Sequence, residues 1–251
     1  MQSNLNMAVK RLLLVGLTVL ASGHSMANEA DLQVAVIKDS PPLSYVDENG
    51  KLTGFDVEIS HALCRIMAVR CQMVPVAIHE IIPALAQGKF DFAATSFIAT
   101  PDHRKHVLFS KPYFQSVSFV VTKEPSAPAH QTGVVAVIKG SAQARHAKLD
   151  GWSLIEVETQ QEVCELLRTG RAQTALLPMI TAMHVLRAPG VRGQGFKWLP
   201  LHDPTLSGTV HMPVNINLPA LVDQLNTALD AIKRNGQFDQ INTRYLPFKL
   251  L

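Results

Sequence analysis

The residues able to do chemistry are few and widely spaced along this 251-residue chain. His103 and His106 stand three positions apart, a spacing at which two imidazoles can share a metal, but no third ligand accompanies them. Scattered histidines of this kind are ordinarily surface or hydrogen-bonded residues. Ser96 has no flanking glycine elbow, so the sequence does not prepare it as a hydrolase nucleophile. No glycine-rich phosphate-binding fingerprint occurs. Cys64 and Cys71 form a close pair at a helix end. In an oxidising compartment such a pair can close a small loop, whereas a metal reading lacks the two further ligands that tetrahedral zinc needs. Cys164 falls on an expected helix and reads as an apolar residue, not a nucleophile. No metal and no cofactor is expected, and none of these residues makes up a catalytic constellation.

Composition narrows the class further. Hydrophobic residues make up 47% and charged residues 17%, which excludes a disordered acidic chain or a coiled coil. Lys+Arg 23 against Asp+Glu 20 gives a net charge of only +3, with no basic run. Phosphate backbones require clustered cations, so nucleic acid is not an expected partner. Lys10 and Arg11, the apolar run Leu12 to Leu20, and the small residues Ser25 and Ala27 around Met26 read as a cleavable signal peptide, 1–27. The apolar run is too short for a permanent span. An exported, soluble protein is expected.

The elements that must position a site follow from local patterns. Leu32 to Ile37 reads as a strand of alternating character stopped by Ser40-Pro41-Pro42, and Asp47-Glu48-Asn49-Gly50 as a tight turn. Helical spacing covers Val57 to Ala68, Glu80 to Gln87, Pro219 to Asn235 and Gln237 to Tyr245; Gln72 to Val76 and Val134 to Ile138 read as strands. Alternation of strands and helices predicts a largely parallel α/β sheet. One unit occurs twice, Leu85 to Ala94 and Leu167 to Leu176: a helix end, a glycine cap, a basic residue and a short strand. Thr159 and Glu162 form a capping box ahead of the second copy. The echo predicts two lobes of similar construction. It places Thr95-Ser96 and Leu177-Pro178 at carboxyl ends of parallel strands, the edge where open α/β sheets bind ligands. The stretch 123–133, rich in Pro, Ala and polar residues, marks a boundary. Trp152 and Trp198 are expected in the core of the second lobe.

With these elements in place, Pro41-Pro42-Leu43-Ser44-Tyr45 through Gly54-Phe55-Asp56 resembles bacterial periplasmic solute-binding proteins of family 3, the polar amino-acid receptors of ABC importers. The similarity continues through Ile82-Pro83-Ala84-Leu85, Gly88-Lys89-Phe90-Asp91, Thr100-Pro101, Phe109-Ser110-Lys111-Pro112-Tyr113, Gly140-Ser141 and Asn235-Gly236-Gln237-Phe238-Asp239. The resemblance implies a two-lobed periplasmic-binding-protein fold (type II), with lobe 1 at 28–121 and 209–251, lobe 2 at 122–208, and a hinge of two crossing strands. It also implies a Cys64–Cys71 disulfide, a small-molecule solute held by hinge closure, and an inner-membrane ABC permease as partner. A monomer in the periplasm is expected.

Transferred position by position, the resemblance exposes departures in the cleft. The arginine that takes the ligand carboxylate in the family aligns with His103, and Arg104 stands one place late. The lobe 2 acid that takes the ligand amine aligns with Pro178. The aromatic that usually precedes Pro-Pro is Ser40, and the second cleft aromatic is Ile78. The polar segment after the first echo reads Thr95, Ser96, Phe97 and Ile98. Gly140, Ser141 and Gln143 keep the loop that opens a helix, whose free N–H groups can hold an anion. These eleven positions form the expected ligand set: Ser40, Ile78, Thr95, Ser96, Phe97, Ile98, His103, Arg104, Gly140, Ser141 and Gln143. The expected solute is amino-acid-like or another small organic acid. The alternatives are a degenerate cleft serving a sensory or partner-binding role, and an enzyme resembling the family's cyclohexadienyl dehydratases, which would need a carboxylic acid in the cleft.

Overall fold

The computed structural model describes residues 31–95 and 97–250. The expected signal peptide and Ser96 lie outside the described residues. In chain order the first half runs β1 (Leu32–Ile37), β2 (Tyr45–Val46), β3 (Leu52–Thr53), α1 (Phe55–Ile66), β4 (Cys71–Val76), α2 (Ile78–Ala86), β5 (Phe92–Ala94), β6 (Phe97–Ile98), β7 (Val107–Phe109) and β8 (Phe114–Ser116). It continues with β9 (Ser118–Thr122), β10 (Val135–Ile138), α3 (Ala142–Leu149), β11 (Leu154–Val157), α4 (Gln160–Arg168), β12 (Thr174–Pro178), α5 (Met179–Arg187) and β13 (Lys197–Leu201). The last elements are β14 (Gly208–His211), β15 (Pro213–Asn215), α6 (Pro219–Arg234) and α7 (Gln237–Tyr245).

Two five-stranded sheets carry the two lobes, ordered β4-β1-β5-β15-β7 and β11-β10-β12-β9-β13. In each, the first three strands are parallel and the remainder are added antiparallel. The repeated unit therefore occupies the same place twice. Gly88 (φ +73°) and Gly170 (φ +71°) end α2 and α4 in the left-handed conformation, and β5 and β12 follow as the middle strand of each sheet. The Thr159–Glu162 capping box forms as expected, with Thr159 N–H donating to Glu162 Oε2 at 2.9 Å and Glu162 N–H to Thr159 Oγ1 at 3.3 Å. The chain passes between lobes after β8 and again before β14, and β6, β14 and β8 pair as a small sheet beside these passages. Strand β9 already lies in the second sheet.

Burial departs from the sequence pattern in two places. Strand β1 buries Val34, Ala35 and Val36 consecutively instead of on alternate faces. It runs between β4 and β5 with α1-side residues against Val34 and Val36 and the α2 side against Ala35, so both faces are covered. Trp198 is 39% exposed, not in the core: it lies on the edge strand β13 and stacks on Phe119 at 4.5 Å. Trp152 packs against the lobe 2 cluster around Val135 and Leu176. Cys164 is half-buried on α4, and burial pushes its thiol up to about 11, which keeps it protonated and inert.

The main core of lobe 1 joins α1, α6 and α7 to the sheet, and Ile180 and Met183 of α5 enter it from the other lobe. A Cys64–Cys71 disulfide ties the end of α1 to the start of β4 across a sequence separation of seven. Closing so short a loop removes about 2–3 kcal/mol of unfolded-chain entropy. The Cys64→Ser, Cys71→Ser protein should therefore melt roughly 5–10 °C lower. An unchanged melting temperature by calorimetry would show that the bridge contributes nothing net.

Candidate functional site

The carboxyl ends of β1 and β10 and the amino ends of α3, α4 and α5 meet between the lobes and enclose a cavity of about 80 Å³. A water position takes roughly 10–15 Å³ on this measure, so the space suits one small organic molecule. Lobe 1 contributes Ile37, Ser40, Leu43, Ile78, Phe97, Ile98 and His103; lobe 2 contributes Ile138, Ser141, Ala142, Gln143, Gln160, Pro178, Ile180 and Thr181. Phe114 and Ser116 face it from β8, beside the passage. Half of the twenty lining residues are Ile, Leu, Phe, Ala or Pro, which makes the interior apolar with isolated hydrogen-bonding groups.

Those groups are held by specific partners. Gln143 donates from Nε2 to Ser118 Oγ at 2.8 Å, and Ser118 donates in turn to the Leu206 carbonyl at 2.9 Å, which anchors α3 to both inter-lobe passages. Ser141 caps α3 by accepting from Ala144 N–H at 3.0 Å. Gln160 crosses the cleft: its Nε2 donates to Ser40 Oγ at 2.9 Å, 120 residues away in sequence. Its Oε1 is buried without a hydrogen-bond partner among the described residues. Outside this pair, Glu158 of lobe 2 sits 3.2 Å from His79 Nδ1 of lobe 1 and 3.0 Å from Lys139 Nζ, and Arg145 reaches Asp102 at 3.3 Å. The last pair is largely exposed and adds little stability. Gly140 (φ +78°) packs directly on His79, so closely that a Cβ there would fall 2.5–2.9 Å from His79 Cβ, Cα and N.

Seven of the eleven expected positions line the cavity: Ser40, Ile78, Phe97, Ile98, His103, Ser141 and Gln143. Thr95 is fully buried and does not reach the wall; its Oγ1 has no partner among the described residues. Gly140 makes the contact between lobes instead of lining the space. Arg104 is exposed on a 3₁₀ turn (His103–Lys105), with its guanidinium 5.3 Å from the Phe109 ring centroid, and is not on the wall. His103 is the inward residue of that turn. One position along so tight a turn rotates a side chain by about 120°, so both cannot face the cavity.

Burial lowers the His103 pKa, only partly offset by the Ile98 carbonyl 3.4 Å from Nδ1. The imidazole is therefore neutral near pH 7, a hydrogen-bonding group where the aligned arginine would be a cation. Because the folded state binds this proton less readily than the unfolded state, stability falls as pH drops below about 6.5. His61 and His184, lowered chiefly by burial as well, act in the same direction. Urea unfolding at pH 7, 6 and 5 should show a decline that is shallower in His103→Gln; identical slopes would contradict the assignment.

Sequence reading missed Gln160, the lobe 1 wall residues Ile37 and Leu43, and Ile138, Thr181 and Ser116. It also placed no acid in the cleft, whereas Asp39 and Glu158 stand at the cavity along with Lys38. Asp39 and Lys38 are exposed, and Glu158 is paired with Lys139 through Oε1. Among the described residues, no group of three or more His, Cys, Asp or Glu could hold a metal ion, and no helix is long and apolar enough to cross a membrane.

Two α/β lobes joined by two chain passages, with a small-molecule cavity walled by both, define a two-lobed binding protein. Residues 32–248 match the family described as bacterial extracellular solute-binding proteins, family 3, and the chain belongs to that family. The L-arginine-binding protein of Pseudomonas aeruginosa is 28% identical over 96% of this chain and 98% of its own length. A solved ancestral arginine-binding protein bound to arginine superposes with a TM-score of 0.77 at 26% identity, covering 86% of this chain and 98% of that one. An ancestral amino-acid-binding protein described as a precursor of cyclohexadienyl dehydratase gives 0.75 at 25% identity, covering 86% of this chain and 95% of that one.

Proposed function

We propose that this protein captures one small, amino-acid-like solute between its lobes and presents the closed form to an ABC importer. The observation that carries this reading is the cavity itself, enclosed by side chains from both lobes and bridged by Ser40–Gln160. A solute that touches both walls favours the closed arrangement by its differential affinity, and closure is what a permease can sense. Export through the leader 1–27, residence in the periplasm and a monomeric state belong to the same proposal. So do the lobe limits, with β9 assigned to lobe 2, so that the chain first crosses at Val117.

A catalytic role finds less support. Asp39 is exposed to solvent, Glu158 pairs with Lys139, and His103 Nδ1 lies 3.4 Å from the Ile98 carbonyl of β6, to which it can only donate. A general acid needs a proton held toward the interior, and none of these groups is so placed.

Thermal denaturation with a panel of amino acids, small carboxylates, amides and amines tests the reading. A true solute at about a hundredfold excess over Kd adds about 2.7 kcal/mol, roughly 5–10 °C in melting temperature. Stabilisation by no member of the panel would overturn solute capture and favour a cleft that serves a partner protein.

A further inference from the structure

The cavity wall also constrains the head group of the solute, and this step rests on the solute-binding reading. A free α-amino acid brings an ammonium and a carboxylate into the cleft, and each needs a counter-charge or a full set of hydrogen bonds once water is excluded. The interior supplies no such pair. No arginine lines the cavity among the described residues, and Pro178 offers the ligand no side-chain acceptor. Lys38 and Asp39 are solvent-exposed at its mouth, and Glu158 pairs through Oε1 with Lys139 at 3.0 Å, its Oε2 having no hydrogen-bond partner among the described residues.

What the wall does supply is neutral and two-sided. Helices α3 and α5 begin on the cavity, and the first N–H groups of a helix have no intrahelical acceptor; Ala144 N–H is taken by Ser141 Oγ and Met179 N–H by the Val117 carbonyl, which leaves the other first-turn N–H groups as donors. Independently, Gln160 is only 4% exposed, lines the same cavity and leaves Oε1 buried without a partner among the described residues while Nε2 is committed to Ser40. A buried orphan acceptor on a ligand-sized cavity calls for a donor from the ligand. A carboxylate has no such donor. An ammonium has donors, but Glu158, the half-buried carboxylate of the wall, already pairs with Lys139 at 3.0 Å, and the other carboxylate, Asp39, is solvent-exposed. A carbonyl joined to an N–H satisfies both sides at once, and the aliphatic remainder of the wall suits a branched hydrocarbon body.

We propose that the cleft selects an uncharged, amino-acid-sized molecule with an aliphatic body and an amide-like head. Its N–H is taken by Gln160 Oε1 and its carbonyl oxygen by the amino-terminal N–H groups of the lobe 2 helices.

A series on one carbon skeleton isolates the head group: 4-methylpentanamide, 4-methylpentanoate, leucinamide and leucine, with arginine alongside, each titrated calorimetrically at pH 7.5. The amide should bind at least about tenfold more tightly than each of the others. Gln160→Leu should lower amide affinity at least about tenfold. Gln160→Glu should shift preference toward the cationic leucinamide. Tighter or equal binding of leucine, arginine or the carboxylate would overturn the head-group assignment while solute capture stood. Binding of none of the five also overturns it, and the broader panel above then decides separately whether any solute is captured. Melting curves of both variants establish that they fold, and the wild-type series stands without them.

Discussion

Replacing Gly140 by alanine should abolish tight solute binding without unfolding the protein. Two effects act at this position, and they can be separated. The backbone is left-handed (φ +78°), which costs an alanine about 1–2 kcal/mol within lobe 2. The added methyl would also stand 2.5 Å from His79 Cβ, 2.6 Å from His79 Cα and 2.9 Å from His79 N. Two of those three atoms are backbone, so no change of rotamer relieves the clash, and the lobes must part instead. The clash exists only when the lobes meet, so its cost falls on the closed form. Affinity should drop at least about a hundredfold, equivalent to about 2.7 kcal/mol. Gly151→Ala is the matched control: it has the same left-handed backbone (φ +70°) with nothing within 4 Å of the added Cβ. It should lose comparable stability and keep wild-type affinity. Equal affinities in the two variants, measured by titration calorimetry, would remove Gly140 from the closure contact.

The second large effect is on stability. Phe55 is fully buried and meets Phe114 and Phe238 edge to face, at centroid distances of 6.2 and 5.8 Å. It therefore ties the first turn of α1 to the hinge-side strand β8 and to α7. Phe55→Ala should destabilise by about 3–5 kcal/mol through lost burial and the cavity left behind. Leu149, 79% exposed at the end of α3, should tolerate alanine within about 0.5 kcal/mol. Because Phe114 also lines the solute cavity, Phe55→Ala should weaken solute binding as well as stability. Chemical unfolding of the two variants gives the comparison, and a Phe55→Ala loss below about 1 kcal/mol would mean this aromatic cluster is not what joins α1 to the hinge.

Much of the fold was legible because its signals are local. The glycines at 88 and 170, the Thr159–Glu162 box, and Pro219 opening α6 each fix an element boundary through chemistry within a few residues. The duplicated unit conveyed topology as well, since β5 and β12 do hold equivalent central places. Burial was less readable. Strand β1 looked alternating, but helices on both sides of its sheet bury it throughout, and Trp198 looked like core until β13 proved to be an edge.

The site was legible mainly through the resemblance, which located the turn at His103, the Ser40 segment and the loop at Ser141. The rule that ligands gather at carboxyl ends of parallel strands was applied to β5 and β12. Extended to β1 and β10, it would have found Ile37 and Ile138. Gln160 carried a usable signal too, as the first residue after the Thr159 cap, on a helix whose start faces the cleft. Its pairing with Ser40 is a contact between lobes across 120 positions, and no local pattern encodes it. The same holds for Gly140 and His79.

Small-angle X-ray scattering of the purified protein, with and without a saturating solute from the stabilising panel, tests the central claim most directly. Capture by closure predicts a smaller radius of gyration with solute, and a solute-bound profile that agrees with the closed arrangement described above. A saturated protein whose scattering is identical to that of the solute-free form would contradict hinge closure on a solute.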